Sequence, residues 1–240
     1  MLYYCRASLI IVYFIFFALL ANLLALLRPF HPNNSSRILK WFKPAYKLGN
    51  IKVDWRYPSN TRYTKPVIYI ANHQDLLDIF LFSQCWPENT IVIGKKSLLW
   101  MPFFGTAFWL CGNLLIDRKN KNKAWGLMDT VVNYLTEKQN NILFMPEGTR
   151  SRGKGLLPFK QGAFSVAIRA KADIVPICAS STDLINLNEK HPKTAIVEFL
   201  PPINTDQYTE AQAQELAEYC HQIMARTIQN NNEQIKLGKV

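Results

Sequence analysis

A single α/β domain with a mixed, largely parallel sheet flanked by helices, preceded by a membrane-embedded helical segment, is the architecture this sequence predicts. Three observations carry it. Near the N-terminus lies a stretch of 21 residues without a charge; beyond about residue 50, seven short apolar runs alternate with helix-length segments; and several of those runs are apolar throughout, as strands covered on both faces should be. The predicted division is an anchor over 1–48, a domain over 49–230 and a polar tail over 231–240 that opens in the run Asn230-Asn231-Asn232.

From Ala7 to Leu27 only Ser8 and Asn22 are clearly polar. As a helix the segment is about 31 Å long, enough to cross the hydrocarbon of a bilayer. A cleaved signal peptide is the competing reading. Its apolar core would be shorter and a small-x-small site should follow, which Leu26-Leu27-Arg28-Pro29 does not offer. Arg6 lies ahead of the segment, and Arg28, Arg37, Lys40, Lys43 and Lys47 follow it with no acid before Asp54. The positive-inside bias then puts the domain on the cytoplasmic face. Trp41 and Phe42, between Lys40 and Lys43, predict an interfacial segment against anionic headgroups, with a solvated basic linker as the alternative. The net charge of +11 is therefore read as a membrane footprint rather than a nucleic-acid surface.

Pro29, Pro32, Asn33 and Asn34 mark a turn after the anchor. Strands are predicted at 51–55, 66–71, 90–94, 113–116, 141–145, 174–179 and 194–199, and helices near 76–85, 98–111, 122–138, 161–171 and 208–229. Pro102 and Gly105 divide the second helix into two pieces joined by a turn. Leu216, Ala217, Cys220, Ile223, Met224 and Ile228 form one stripe of the last. The five cysteines are scattered without zinc spacing, and Cys111 and Cys178 read as buried thiols in a reducing compartment.

Three polar clusters fall at predicted strand ends, where open α/β sheets place their ligands. His73 follows the strand ending at Ala71; Asp117-Arg118 follow Leu114-Leu115-Ile116; Glu147-Gly148-Thr149-Arg150 follow the strand ending near Met145. His73 with Asp78 is the spacing of a general base oriented by a carboxylate. Asp75 as helix N-cap with Asp78 completing an acidic capping box is the structural alternative, and the two are compatible. The run from Gly148 to Gly155 nearly matches a phosphate-binding P-loop. It fails where magnesium would be held, at Gly155, and where the helix should start, at Pro158. What remains is a glycine-containing turn with Arg150, Arg152, Lys154 and Lys160 nearby, suited to a phosphate monoester or to plain solvation. Lys95 and Lys96, ending another strand, add charge or are turn lysines. His31, His191 and His221 have no evident partners, and no serine-hydrolase elbow, zinc-protease helix or dinucleotide fingerprint is present.

These residues resemble the bacterial 1-acyl-sn-glycerol-3-phosphate acyltransferases of the glycerolipid acyltransferase family. Asn72-His73-x4-Asp78, Gly112-Asn113-Leu114-Leu115-Ile116-Asp117-Arg118, Phe144-Met145-Pro146-Glu147-Gly148-Thr149-Arg150-Ser151 and Ile174-Val175-Pro176-Ile177 are similar to its four ordered motifs, over about 66–180. Asp75 departs from the serine that many members carry there. The resemblance implies an acyltransferase domain, often preceded by a helical element in one leaflet, so residues 7–27 pair with the segment around 35–48 as an alternative to spanning. It implies transfer of a fatty acyl chain from acyl-carrier protein or coenzyme A to the sn-2 hydroxyl of lysophosphatidate, giving phosphatidate, with membrane lipids and no nucleic acid as partners. His73 and Asp78 would be catalytic. Lys96, Arg118, Glu147, Gly148, Thr149, Arg150 and Lys160 would bind substrate, with no metal or bound cofactor. The rival readings are a family member with another lysolipid acceptor, a thioesterase-like hydrolase, and a non-catalytic binder of anionic lipid.

Overall fold

The computed structural model describes residues 2–41, 47–59, 63–117 and 121–240. Seven strands form one sheet: β1 (Ile51–Arg56), β2 (Ile68–Ala71), β3 (Thr90–Lys95), β4 (Leu114–Ile116), β5 (Asn141–Phe144), β6 (Ile174–Ala179) and β7 (Lys193–Phe199). Their spatial order is β1-β7-β6-β2-β5-β3-β4, and every neighbouring pair is parallel except the antiparallel β6 and β7. All seven predicted strands are present, within a residue or two of their predicted bounds.

The central strand shows why the runs are apolar. All four residues of β2 are buried, and they alternate between the two faces of the sheet. Ile68 and Ile70 join one core with Ile142, Phe144, Ile174, Phe164 and Leu216; Tyr69 and Ala71 join the other with Leu143, Val175, Ile177 and Leu81. The first core is covered by α5 (Lys121–Thr136), α6 (Gly162–Ala170) and α7 (Ala213–Lys236), the second by α3 (Asp78–Phe82). Residues 98–111 divide as predicted, into a short 3₁₀ turn over Lys96–Trp100 and α4 (Phe104–Leu110).

One expectation is corrected. The last helix continues through the asparagine run to Lys236, so no polar tail begins at 231. Asn231 is buried, Asn232 Oδ1 accepts the N–H of Ser181 at 2.8 Å, and Arg56 donates to Gln234 Oε1 at 2.9 Å. Trp41, from the predicted interfacial segment, is half-buried: its carbonyl accepts the Tyr13 hydroxyl and its ring lies 6.3 Å from that of Phe17. Phe42 and Lys43 fall outside the described residues.

The first helix, α1 (Leu2–Leu27), is about 39 Å long. It lies along the domain rather than projecting from it. Near its start Tyr3 N donates to Asn188 Oδ1 at 2.8 Å, and Arg6 donates to the carbonyls of Leu187 and Glu189 at 2.8 and 2.7 Å. Farther along, Asn22 donates to Phe103 O at 2.8 Å, and after the helix Phe30 N donates to Leu110 O at 2.8 Å. Ala18, Ala21 and Ala25 form its buried stripe, small enough for α4 to approach closely. Its outer face exposes Leu9, Ile11, Val12, Phe16, Leu23 and Leu26, and the neighbouring 99–109 region exposes Trp100, Phe103 and Trp109. Among the described residues it is the one helix long and apolar enough to cross a membrane. The short α2 (Asn34–Lys40) packs beside it, with Ile38 in the same cluster as Ala21 and Ala25.

Candidate active site

Parallel strands β6, β2 and β5 are adjacent, so their C-terminal ends open on the same edge of the sheet. His73 emerges from β2 there. Its Nδ1 lies 2.7 Å from Asp78 Oδ2, and the backbone N–H groups of Gln74 and Asp75 donate to that same oxygen at 2.6 and 3.2 Å. Asp75 Oδ1 accepts the N–H of Leu77 at 2.7 Å. Asp75 thus closes the turn ahead of the helix while Asp78 reaches back to the ring; the helix itself begins at Asp78 with Leu77 as its N-cap, so Asp75 is not the helix N-cap the sequence suggested. A carboxylate facing Nδ1 keeps the proton there and leaves Nε2 as the free base.

Asp78 is buried, and its Oδ1 has no hydrogen-bond partner among the described residues. Burial pushes its carboxyl above the ordinary carboxylate range, and the His73 hydrogen bond pulls it part of the way back. Within the pair, the hydrogen bond from the His73 ring offsets part of the cost of burying the Asp78 carboxylate.

Glu147 is also buried, and both its oxygens are occupied. Oε1 accepts the N–H of His73 at 2.7 Å and Oε2 that of Leu157 at 2.9 Å. Burial raises its carboxyl above the ordinary range. The loop after β5 is bonded to the β2 loop again by Ser151 N to His73 O (2.8 Å) and Arg152 N to Gln74 O (3.1 Å). Gly148 turns this loop at φ +73°, which a side chain would strain. The sequence leaves open whether Glu147 touches substrate or braces the loop; its geometry is that of a brace.

A cavity of about 520 Å³ opens beside the pair. His73, Asp78, Gly148, Thr149, Arg150 and Arg152 line it, together with Lys95; the rest of the wall is mostly apolar and includes Ile93, Phe104, Ala107 and, from the N-terminal helices, Ala18, Ala21 and Ile38. The site therefore offers an imidazole and guanidinium groups alongside an apolar volume. Among the described residues no group of three or more His, Cys, Asp or Glu side chains converges as metal ligands would.

Not every predicted binding residue lies on this wall. Lys96 stands off it, 3.8 Å from Asp117; the adjacent Lys95, at the end of β3, takes the lining position. Lys160 is exposed and off the wall, its N–H bonded to Pro146 O at 2.9 Å. Arg118 falls outside the described residues. His221 and His31, read as unpartnered, have local contacts: His221 Nε2 lies 3.4 Å from Leu156 O, and His31 Nδ1 accepts Asn33 N at 3.1 Å.

Three structural residues near the site escape sequence reasoning. Asn72 closes a two-bond clasp with the backbone of Ala179 (3.0 and 2.8 Å), tying β2's exit to β6. Gln74 does the same one step on, to Ser180 O and Thr182 N at 2.9 and 3.0 Å. Asn113 accepts Val92 N and donates to Phe108 O, both at 2.9 Å. Asn72 and Asn113 stand inside recognisable motifs, but nothing in their spacing tells a backbone clasp from a substrate ligand.

Comparison with known proteins bears on this geometry. The profile of the Acyltransferase family matches residues 52–180. The chain is 42% identical to a 1-acyl-sn-glycerol-3-phosphate acyltransferase of Escherichia coli (strain K12), over 98% of this chain and 96% of that protein. It is 38% identical to the protein of the same description from Haemophilus influenzae, over 99% and 100%. The fold is also similar to the crystal structure of the 1-acyl-sn-glycerophosphate acyltransferase PlsC from Thermotoga maritima. There the TM-score is 0.72 at 20% identity, covering 95% of this chain and 97% of that one.

Proposed function

This chain belongs to the acyltransferase family, and from that premise we propose that it moves a fatty acyl group from a thioester to the sn-2 hydroxyl of 1-acyl-sn-glycerol 3-phosphate, giving phosphatidate. The observation that carries the chemistry is the 2.7 Å contact between His73 Nδ1 and Asp78 Oδ2 on the wall of a cavity shared with Arg150.

In this mechanism Nε2 of His73 takes the proton of the sn-2 hydroxyl as its oxygen attacks the thioester carbonyl. The tetrahedral adduct collapses to the ester, the carbon–sulfur bond breaks, and the imidazolium returns its proton to the departing sulfur. Asp78 stabilises the imidazolium in between. Attack is direct, without an acyl-enzyme.

Arg150, with Arg152, Lys95 and the Gly148–Thr149 turn, would hold the phosphate; Arg118 remains a phosphate ligand on its motif alone. Glu147 acts through the loop it braces. The apolar part of the cavity suits an acyl chain, at about 0.8 kcal/mol per methylene buried. Acyl-carrier protein and coenzyme A both present the required thioester.

The ties of α1 to the domain at both ends support a helix lying in one leaflet, its outer face and Trp100 in the hydrocarbon. The basic residues flanking it favour the cytoplasmic face. The deciding assay presents purified protein with a labelled acyl thioester and a panel of lysolipids, followed by mass analysis. Phosphatidate formed only with the phosphate monoester acceptor supports the reading. Free fatty acid released at a rate indifferent to lysolipid would replace it with a hydrolase.

A further inference from the structure

The turn that carries Asp78 is held from outside the pair. Asp75 Oδ2 accepts the hydroxyl of Thr182 at 2.7 Å, while Asp75 Oδ1 accepts Leu77 N, so both oxygens of this carboxylate are occupied by the fold. Asp75 does not line the cavity, and Thr182 is buried at the start of a one-turn 3₁₀ helix just beyond β6. The side chain of Gln74 grips the same segment through Ser180 O and Thr182 N. That segment is itself anchored. Ser180 is bonded to Ile196 of β7 in both directions, N to O at 2.8 Å and Oγ from N at 3.0 Å, and Ser181 N is bonded to Asn232 of α7.

We propose that Thr182 is a positioning residue for the His73–Asp78 pair. Its hydroxyl fixes the Asp75 side chain, and with it the consecutive N–H groups of Gln74 and Asp75 that aim Asp78 Oδ2 at His73 Nδ1. The inference rests on the catalytic reading of that pair. The 2.6 and 3.2 Å contacts onto Asp78 Oδ2 define the carboxylate's direction, and a shift of the turn displaces the ring it orients. Thr182 supplies the one side-chain hydroxyl bonded to Asp75 among the described hydrogen bonds. An aspartate at 75 gives that hydroxyl an acceptor while its other oxygen caps the turn.

The test compares Thr182→Val, Thr182→Ser and His73→Ala in the full-length protein, with kcat and the KM for lysophosphatidate measured well below each variant's unfolding temperature. Thr182→Val is nearly isosteric and replaces the hydroxyl with a methyl group. Its kcat is expected to fall about 10- to 100-fold, the range for a catalytic group displaced by a fraction of an ångström to 1 Å, with KM within about twofold of wild type. Thr182→Ser, which keeps the donor, should recover most of kcat. A wild-type kcat in Thr182→Val, or a serine variant as slow as the valine one, overturns the proposal. If His73→Ala is inactive while Thr182→Val is normal, only this inference falls; if His73→Ala turns over normally, the catalytic reading falls with it.

Discussion

The main-chain N–H of His73 donates to Glu147 Oε1 at 2.7 Å, joining two motifs that lie 74 residues apart in sequence. With Ser151 N returning to the His73 carbonyl, the β2 and β5 loops form one bonded unit. His73 and the loop that carries Arg150 are therefore set by the same few hydrogen bonds.

Glu147→Gln keeps one acceptor oxygen and turns an NH₂ group toward the second backbone N–H. A loss of about 1–3 kcal/mol of stability is expected. The pH dependence has a definite sign. Burial raises the folded carboxyl above its ordinary value of 4.5, so the native state holds that proton more tightly than the unfolded chain. Its contribution is fully present below about 4.5 and is lost as pH rises through the folded value. The gap between wild type and Glu147→Gln should narrow from pH 4.5 upward in detergent-solubilised unfolding. A gap that widens would mean that the two N–H bonds outweigh the burial.

Asp78→Asn removes the charge that would stabilise an imidazolium at 73, while the N–H groups of Gln74 and Asp75 hold its amide oxygen where Oδ2 stood. We expect kcat to drop by about 10³- to 10⁴-fold with little change in KM for either substrate. Steady-state kinetics at several pH values check this, and a variant within tenfold of wild type would remove Asp78 from the mechanism.

Arg150→Ala should act on the acceptor instead. A charge-assisted bond to phosphate worth about 1.5–3 kcal/mol corresponds to a KM rise of roughly 10- to 150-fold. A KM for lysophosphatidate within twofold of wild type, measured in the same assay, would take Arg150 off the phosphate.

Trp100 is 87% exposed, next to the exposed Leu99. Replacing it with serine should weaken co-sedimentation with anionic vesicles several-fold while leaving the unfolding midpoint unchanged. Unaltered sedimentation would mean that this side chain does not enter the bilayer.

Strands and motif order were legible in the sequence because they are written in residue type: doubly buried strands need uninterrupted apolar runs, and a base–carboxylate pair needs His and Asp within a turn. Roles decided by backbone geometry were not. Glu147 looks like a ligand in sequence because carboxylates usually face solvent or substrate, yet two N–H groups from distant segments consume it. The asparagine run looked like a frayed end, but Asn231 and Asn232 are held by β1 and by the β6 loop, and polarity alone cannot distinguish an amide that is bonded from one that is hydrated. Lys95 and Lys96 differ only in which side of the strand end they leave, a matter of register that adjacent identical residues conceal.

Ala18 and Ala21 of the first helix belong to the wall of the chamber beside His73. Deleting that helix to obtain a soluble fragment would therefore do more than cut a tether. It would strip away part of the apolar lining beside His73 and open that side to water. Detergent, not truncation, is the route to a working preparation.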